Sequence, residues 1–170
     1  MNLSRSLKNA SHSQVRSICY NSNKKEYIFG LENGSICLWD ARKMILVKQM
    51  DNHLGWSHSL LEKVDTKLLI YSLLLVNSVQ LLLLGVKDGL VAYFYDPLRN
   101  AGTYLPRQSP RRYLHFNSDV KCLAQFNKRV FAAGTCRKIV IYDSSALIRR
   151  DLIPIIVIHN AHEAAISAIE

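Results

Sequence analysis

The 170-residue sequence lacks the short motifs that carry most enzyme chemistry. It contains no GxSxG, P-loop, GxGxxG or HExxH pattern, and no pair of carboxylates stands out. Each of these motifs positions a nucleophile, a phosphate cradle or metal ligands on a defined turn or helix, so the absence of all four argues against the reactions that depend on them. The sequence therefore predicts a protein that is not an enzyme and that holds no cofactor.

Cysteine is scarce and follows no framework. Two of the four cysteines lie within strand patterns, and none of them forms a CxxC pair. This distribution predicts buried thiols rather than disulfides. The first 17 residues are polar and contain no apolar stretch of the kind that a secretory signal needs. Together these features favour the cytoplasm or the nucleus. The four positions are Cys19, Cys37, Cys122 and Cys136.

Metal-ligand spacing is almost absent as well. Of the six histidines, only His159 and His162 have a spacing that could form half of a zinc site. A zinc ion needs four ligands, or three and an open position, and no second pair occurs at a suitable distance along the chain. We therefore predict no metal site.

One long apolar run is present. The segment 68–85 holds 18 residues and almost reaches the length of a membrane span. Three polar residues, Asn77, Ser78 and Gln80, interrupt its middle. Two buried strands joined by a hairpin are therefore predicted in place of a transmembrane helix, so we expect no transmembrane segment.

A strand-turn-strand unit is repeated along the sequence. Its clearest copy runs from Val15 to Gly30 and then turns at Asn33-Gly34, and a second copy keeps the same spacing from Ile70 to Gly85. The second copy turns at an Asp-Gly pair. Asn-Gly and Asp-Gly are strong hairpin signals because such turns need positive φ. A looser third copy follows, and the units start at Val15, Ile70, Val120 and Ile166.

Each unit has room for a fourth strand. The segments 44–50, 112–116 and 153–159 are apolar or alternating and follow the three copies in turn. Four short antiparallel strands per unit form the blade of a propeller. A repeat cannot bury its own apolar face, so neighbouring blades are expected to pack together. The sequence predicts an all-β fold, a partial β-propeller of three four-stranded blades plus the first strand of a fourth.

The residues of the first copy carry a family resemblance. The pattern His12…Val15…Gly30…Asn33-Gly34…Ile36…Leu38-Trp39-Asp40 resembles a WD40 repeat, and Ala161-His162 followed by Ile166 resembles the opening of the next repeat. The resemblance covers about residues 10–170. It implies a non-catalytic scaffold that presents its rim loops to other proteins. The structural repeat positions that it implies are His12, Asn33, Trp39, Asp40, Asp88, Phe94, Tyr142, Asp143 and His162.

The copies also depart from the WD-repeat pattern. The family places Ser or Thr on the second strand, where this chain has Phe29, Leu84 and Ala133. No copy can therefore build the whole hydrogen-bond network of the family, and we expect apolar packing to hold the blades together.

The expected organisation is a set of repeats with one insertion. We expect an N-terminal extension over 1–10, WD-like repeats over 11–52, 53–114 and 115–160, and the start of a fourth over 161–170, with the insertion at 54–67. Rings usually hold four to eight blades, so ring closure needs further blades or another chain. The chain is then the first part of a longer protein, a truncated product, or half of a two-chain assembly. The stop directly after a repeat opening favours the first two.

The charge distribution suggests an alternative function. The net charge is +9, with basic clusters at 107–112, 137–138 and 149–150. Such charge attracts acidic partners, so a basic propeller that binds RNA or a ribonucleoprotein is the alternative to a protein scaffold. A phosphoinositide membrane surface is a weaker alternative, because Asp151 adds negative charge beside Arg149 and Arg150.

Two segments supply candidate contact residues. Trp56 lies in the insertion, where it either packs against the second blade or anchors a partner. Ser109 precedes a proline and two arginines, a pattern typical of a phosphorylation site, and a phosphate there would cancel local positive charge. The candidate partner contacts are Trp56, Arg107, Arg111, Arg112, Arg149 and Arg150.

Overall fold

The computed structural model describes residues 13–50, 69–87, 89–100, 112–115, 118–134, 137–145, 153–164, 166 and 168. These residues form three antiparallel sheets of four strands each. Blade 1 holds β1 (Val15–Asn21), β2 (Glu26–Leu31), β3 (Ile36–Asp40) and β4 (Ile45–Met50). Blade 2 holds β5 (Ile70–Val76), β6 (Leu81–Val86), β7 (Gly89–Phe94) and β8 (Arg112–His115). Blade 3 holds β9 (Val120–Phe126), β10 (Arg129–Gly134), β11 (Ile139–Asp143) and β12 (Ile156–Ile158).

The strands follow one another across each sheet, and this order confirms the predicted four-stranded blades. The first strands β1, β5 and β9 lie side by side on the inner edge, and β4, β8 and β12 form the outer edges. A six-residue helix, α1 (Tyr95–Asn100), follows β7, and the repeat pattern did not predict it.

The long apolar run folds as the sequence predicted. It forms β5 and β6, which pair antiparallel from Ile70↔Val86 to Val76↔Leu81 across a short turn. In the part of the chain that the structure describes, no helix has the length and apolar character to cross a membrane.

All three blades share one irregularity near the start of the inner strand. Pairing slips by one residue between Val15 and Ser17, between Ile70 and Ser72, and at the matching place in blade 3, where Cys122 lies opposite Ala133. The equivalent residues on the second strands are therefore Gly30, Gly85 and Ala133. The order of residues in the third copy predicts Gly134 as the equivalent of the two glycines, and the strand pairing corrects this by one residue, to Ala133.

A second correction concerns the residue equivalent to Trp39. Trp39 pairs with Tyr27, and in blade 2 the matching pair is Tyr93 with Leu82, so Tyr93 takes this position and not Phe94. The cause is a shorter turn. Between the paired residues Gly30 and Ile36 lie five residues, whereas four lie between Gly85 and Leu90. In blade 3 the matching residue is Tyr142, which pairs with Val130.

The hydrophobic core lies between the blades. We call the side of a blade that packs on the next blade its following face, and the opposite side its preceding face. The following face of blade 1 buries Ile28, Ile36, Leu38 and Met50 against the preceding face of blade 2, which supplies Leu73, Leu75, Leu82, Leu84, Val91 and Tyr93. The next interface repeats this arrangement with Leu81, Leu83, Leu90 and Ala92 against Val120, Val130, Ala132, Val140 and Tyr142.

The inner strands approach so closely that Gly85 has no space for a side chain. A Cβ on Gly85 would lie 2.2 Å from Ser72 Oγ and 2.4 Å from the backbone oxygen of Val120. Ser72 Oγ itself donates a hydrogen bond to that oxygen over 3.4 Å. The start of blade 3 is thus fixed against blade 2 by backbone contact.

The predicted opening of a fourth blade occupies the equivalent place against blade 3. Cys122, which corresponds to Ser72, has its Sγ 4.0 Å from the backbone oxygen of Ile166. The Ile166 N–H donates to the Gly134 oxygen over 3.3 Å. Ile166 therefore lies relative to blade 3 as Val120 lies relative to blade 2. The described residues after β12 form no strand.

A polar cluster joins blades 1 and 2 at the rim that carries α1. Glu26 is buried and accepts hydrogen bonds from the Tyr95 hydroxyl and from Arg99 Nε, the latter at 2.9 Å. Arg99 also forms an ion pair with Glu26 at 2.8 Å, and its backbone oxygen accepts from Lys48 Nζ. The hydrogen bond to Glu26 raises the pKa of Arg99. Because Glu26 comes from blade 1 and Arg99 from α1, the cluster holds the helix against both blades.

Substitution of Gly85 tests the close approach of the blades. We expect Gly85→Ala to lower the free energy of unfolding by about 3 kcal/mol, because the new methyl group meets a backbone carbonyl that cannot move aside. Gly30→Ala is the matched control, since its Cβ would meet the Ile70 side chain at 2.8 Å and a side chain can shift. Urea unfolding followed by circular dichroism measures both. Equal losses for the two variants would contradict the backbone contact.

Substitution of Arg99 tests the rim cluster. Arg99→Met should lower the free energy of unfolding by about 2 kcal/mol, because it leaves the buried Glu26 carboxylate with fewer donors. Arg42→Met, at an exposed position of blade 1, should change it by less than about 0.5 kcal/mol. The same unfolding measurement applies, and a loss of similar size in both variants would argue against the cluster.

Candidate interaction site

Most of the contact residues predicted from the sequence lie outside the described residues. Arg112 begins β8, where its backbone pairs with that of Ala92. The repeat positions His12 and Asp88 also fall outside the described part of the chain. These assignments therefore stay predictions, and so do those of the remaining candidates Trp56, Arg107, Ser109, Arg111, Arg149 and Arg150.

The polar repeat positions that the structure describes serve as turn supports. Asn33 Oδ1 accepts a hydrogen bond from the backbone N–H of Ser35 at 3.0 Å. Asp143 Oδ1 accepts in the same way from Ser145 at 2.9 Å. A short polar side chain that bonds the backbone two residues ahead stabilises a turn. These two residues are thus engaged in local structure.

Asp40 supports the turn between β3 and β4. Its Oδ1 accepts hydrogen bonds from the backbone N–H groups of Lys43 at 2.7 Å and Arg42 at 2.8 Å. The bond from Lys43 is the largest cause of the lowered pKa of Asp40. The carboxylate is therefore ionised and engaged with the backbone, which suits a turn residue better than a general acid.

The aromatic repeat positions belong to the core. Trp39 is 5% exposed and meets the Phe29 ring edge-on, with 6.1 Å between the ring centroids. Burial raises the pKa of the Tyr142 hydroxyl to about 12. Both side chains pack against apolar neighbours and are not available to a ligand.

A thiol between blades 1 and 2 is similarly protected from reaction. Burial raises the pKa of Cys19 to about 12, against a hydrogen bond to Leu75 that lowers it. Only the thiolate is a strong nucleophile, so Cys19 is almost entirely protonated at neutral pH. The cysteine therefore acts as a core residue.

The two histidines with zinc-like spacing lie at an exposed loop. His162 uses Nδ1 to accept a hydrogen bond from the Ala164 N–H at 3.1 Å. Arg137 closes the same loop by donating to the Glu163 oxygen, also at 3.1 Å. Within the described ranges, no group of three or more His, Cys, Asp or Glu side chains is placed to hold a metal ion.

Basic residues on the inner strands already have acidic partners. Arg16 forms an ion pair with Glu32. Lys121 Nζ lies 3.0 Å from Asp119 Oδ2 and 3.2 Å from the centre of the Tyr71 ring, a cation–π contact between blades 2 and 3. The positive charge along this edge is therefore partly neutralised within the protein.

The following face of blade 3 exposes several large apolar side chains. Alternation along the strands places Phe126, Ile139, Ile141, Ile156 and Ile158 on this side of the sheet. Ile141, near the centre, is 8% exposed, but Phe126 is 70% exposed and Ile156 is 46% exposed. In blades 1 and 2 the residues equivalent to Ile139 and Ile141 are buried by the next sheet, Ile36 and Leu38 in blade 1 and Leu90 and Ala92 in blade 2. Blade 3 thus presents in the open the kind of surface that its neighbours bury.

Basic residues lie at both ends of this face. Lys128 lies in the turn after Phe126 and Arg129 begins β10, and both are exposed. Arg137 and Lys138 lie at the opposite end, before β11. An apolar centre with a polar rim is the usual arrangement of a protein–protein interface. The described residues therefore point to this face as the candidate site.

Sequence reasoning did not identify this site. The pattern shows that each strand has two apolar faces, but it does not show which of them a neighbouring sheet covers. The available signal was the segment 152–158, Leu-Ile-Pro-Ile-Ile-Val-Ile, which contains no charged or polar side chain. Its sequence predicts an outer strand and does not show that the strand is exposed.

Comparison with known proteins gives a match at the level of structure alone. No protein-family model and no curated protein sequence matches the chain. A solved structure described as the mitotic checkpoint complex superposes with a TM-score of 0.63 at 16% identity, covering 94% of this chain and 41% of that one. Structures described as U3-55K and as the RRP9 WD40 repeats each superpose with a TM-score of 0.65, at 8% and 9% identity.

The last two matches cover 92% of this chain and 42% of theirs, so the chain spans about two fifths of the length of the structures that it matches. Identities this low show the fold and no more. The four-stranded blades, their order and these superpositions agree on the architecture. The protein has the fold of a WD40-repeat β-propeller, in part: three blades and the position at which a fourth begins.

Proposed function

We propose that the protein is a non-catalytic scaffold that binds other proteins, and that the following face of blade 3 is its principal contact surface. The observation that carries the proposal is the exposure of Phe126, Ile156 and Ile158 on a face whose counterparts in blades 1 and 2 are buried. Large exposed apolar patches are uncommon on proteins that act alone and usually mark binding sites.

The surface favours a protein partner over a nucleic acid. Nucleic-acid interfaces depend on cations that neutralise phosphates, whereas the centre of this face is made of isoleucine and phenylalanine. Its basic ends suit a partner with an apolar centre and acidic margins. One of the similar structures belongs to a multiprotein complex by its description, which supports a role in assembly.

Two further parts of the proposal are the absence of catalysis and the cellular compartment. The raised pKa of Cys19 and the turn-supporting roles of Asn33, Asp40 and Asp143 support the absence of catalysis. The thiols of Cys19, which is half-buried, and Cys37, which is buried, suit a reducing compartment, so we place the protein in the cytoplasm or the nucleus.

The proposal is tested by substituting the most exposed residue of the face. We expect Phe126→Gln to weaken the capture of partner proteins at least about tenfold, because truncation of an aromatic side chain that a partner buries typically costs that much. Ile45→Gln is the matched control, since Ile45 is also an exposed apolar residue, at 52%, but lies on the outer strand of blade 1. Affinity purification with quantitative mass spectrometry, on native extracts treated with ribonuclease, compares the two variants with the unaltered protein.

If the unaltered protein and the two variants captured the same partner proteins, the face would not be an interface. Loss of partners in both variants would indicate general damage, which circular dichroism of the purified variants detects. Only a selective loss with Phe126→Gln supports the proposal.

The net charge of +9 favours one second candidate, the binding of RNA through the basic clusters. Its signature is salt dependence, because each neutralised phosphate releases counterions and affinity falls steeply as salt is added. Filter binding with a single-stranded RNA across a salt series measures this. If partner proteins stay bound after ribonuclease treatment and in moderate salt, the result favours the protein scaffold. If they are lost under either condition, the result favours binding of RNA.

A further inference from the structure

The outer edge of blade 3 is a second surface, distinct from its face. β12 is the last strand of its sheet, so one side of its backbone has no neighbouring strand among the described residues. Its side chains Ile156, Val157 and Ile158 are 46%, 40% and 41% exposed. They alternate between the two sides of the sheet, because Val157 pairs with the core residue Val140. An open face would expose side chains on one side of the sheet only. Exposure on both sides is explained by the position of β12 at the outer edge.

This edge lacks the protection that exposed edges usually carry. Proteins place charges or bulges on edge strands to prevent pairing with other chains. β4, the equivalent strand of blade 1, has a register slip opposite Trp39 and carries Lys48, whose Nζ bonds to the backbone of Arg99. The segment 152–158 in and before β12 has no charged residue in a chain that contains 22 lysines and arginines.

The sequence of β12 is self-complementary. Ile156-Val157-Ile158 reads the same in both directions. When two copies pair antiparallel with Val157 opposite Val157, each Ile156 faces Ile158 of the other copy. The resulting interface is isologous and closes as a twofold dimer, so it does not propagate into fibres. β-branched pairs across antiparallel strands are among the favourable ones.

The length of the pairing segment is bounded at both ends. Pro154 has no N–H to donate and occupies the N-terminal side. Asn160 has a φ of 50°, and the next residue, Ala161, donates its N–H to the Arg137 oxygen, so the chain turns away from the edge there. In the register centred on Val157, these two limits face each other across the dimer. About five residues from each copy then form the ladder.

We propose that two copies of this protein associate through an antiparallel β12–β12 pair centred on Val157, forming one continuous eight-stranded sheet. A ladder of this length is short beside the interface of a stable complex, which buries about 1,200 Å² or more, so we expect a weak dimer that forms only as concentration rises. Pairing at this edge extends the sheet in its own plane through the backbone of β12, whereas a sheet docked on the following face packs against its side chains. The inference goes beyond the proposed function and does not depend on it.

The test is sedimentation velocity of the full chain over a micromolar concentration series, with Val157→Lys and a matched control. Val47 is the control position because it is 45% exposed on the outer strand of blade 1. We expect the unaltered protein and Val47→Lys to form dimers as concentration rises, and Val157→Lys to stay monomeric because two lysines would meet at the twofold axis. Added salt should strengthen dimerisation, since each copy carries a net charge of +9 and salt screens their repulsion.

A second variant keeps the inference testable where Val157→Lys fails to fold. Val157→Cys nearly preserves side-chain size, and in the inferred register the two thiols lie opposite each other. A short bismaleimide should then link two copies through residue 157, whereas Val47→Cys should give no such product. Peptide mapping identifies the linked residue and separates it from the native cysteines.

Each remaining outcome is decisive. A chain that stays monomeric throughout the series overturns the inference, as does a dimer unaffected by Val157→Lys or a linked product at residue 47. Dimers abolished by Phe126→Gln but not by Val157→Lys would place the contact on the following face and also overturn it. An unaltered protein that dimerises but captures no partner protein would refute only the proposed function.

Discussion

The structure depends on the burial of one sheet face against another. A four-stranded blade has two apolar faces and cannot cover either of them by itself. Blade 2 solves this on both sides, with Leu82 and Leu84 packed on blade 1 and Leu81 and Leu83 packed on blade 3. Four consecutive leucines are thus all buried, because alternate side chains of a strand point to opposite sides of the sheet.

The packing of the blades determines which polar groups can be buried and which partners they must have. Inner strands that lie side by side leave so little space that position 85 must be glycine and that Ser72 bonds directly to the next blade. At the rim, a buried carboxylate is tolerated only because Tyr95 and Arg99 supply donors for Glu26. The polar contacts therefore form where apolar packing brings two blades together, and they hold neighbouring blades in a fixed relative position. They are not arranged as a reaction centre.

The same constraint explains where interaction surfaces arise. Blade 3 has the same residue pattern as blade 2, which is packed on both faces. Its following face nevertheless carries exposed phenylalanine and isoleucine, and its outer edge is a strand without charged residues. Such surfaces lower the free energy of a molecule when another sheet or strand covers them. A further sheet on the following face of blade 3 would repeat the arrangement that blade 1 makes with blade 2 and blade 2 with blade 3.

Local features were predicted well from the sequence, and relations between distant residues were not. The Asn33-Gly34 turn and the hairpin in the long apolar run follow from short-range stereochemistry, and both are present. The equivalence of Trp39 and Tyr93 was missed, because a turn shorter by one residue is visible only when strand pairing is known. The rim cluster was missed for a similar reason, since 73 residues separate Glu26 from Arg99.

What the sequence by itself determined is therefore the unit: period-two alternation, β-branched and aromatic residues in short runs, and glycine at turns specify four antiparallel strands per repeat. What only the tertiary structure decided is which apolar residues are covered. Leu83 and Phe126 are both strand residues with large apolar side chains, and one is fully buried while the other is 70% exposed. The difference lies in the neighbouring sheet, because burial is a property of contacts between segments distant in sequence and not of the segment that carries the residue.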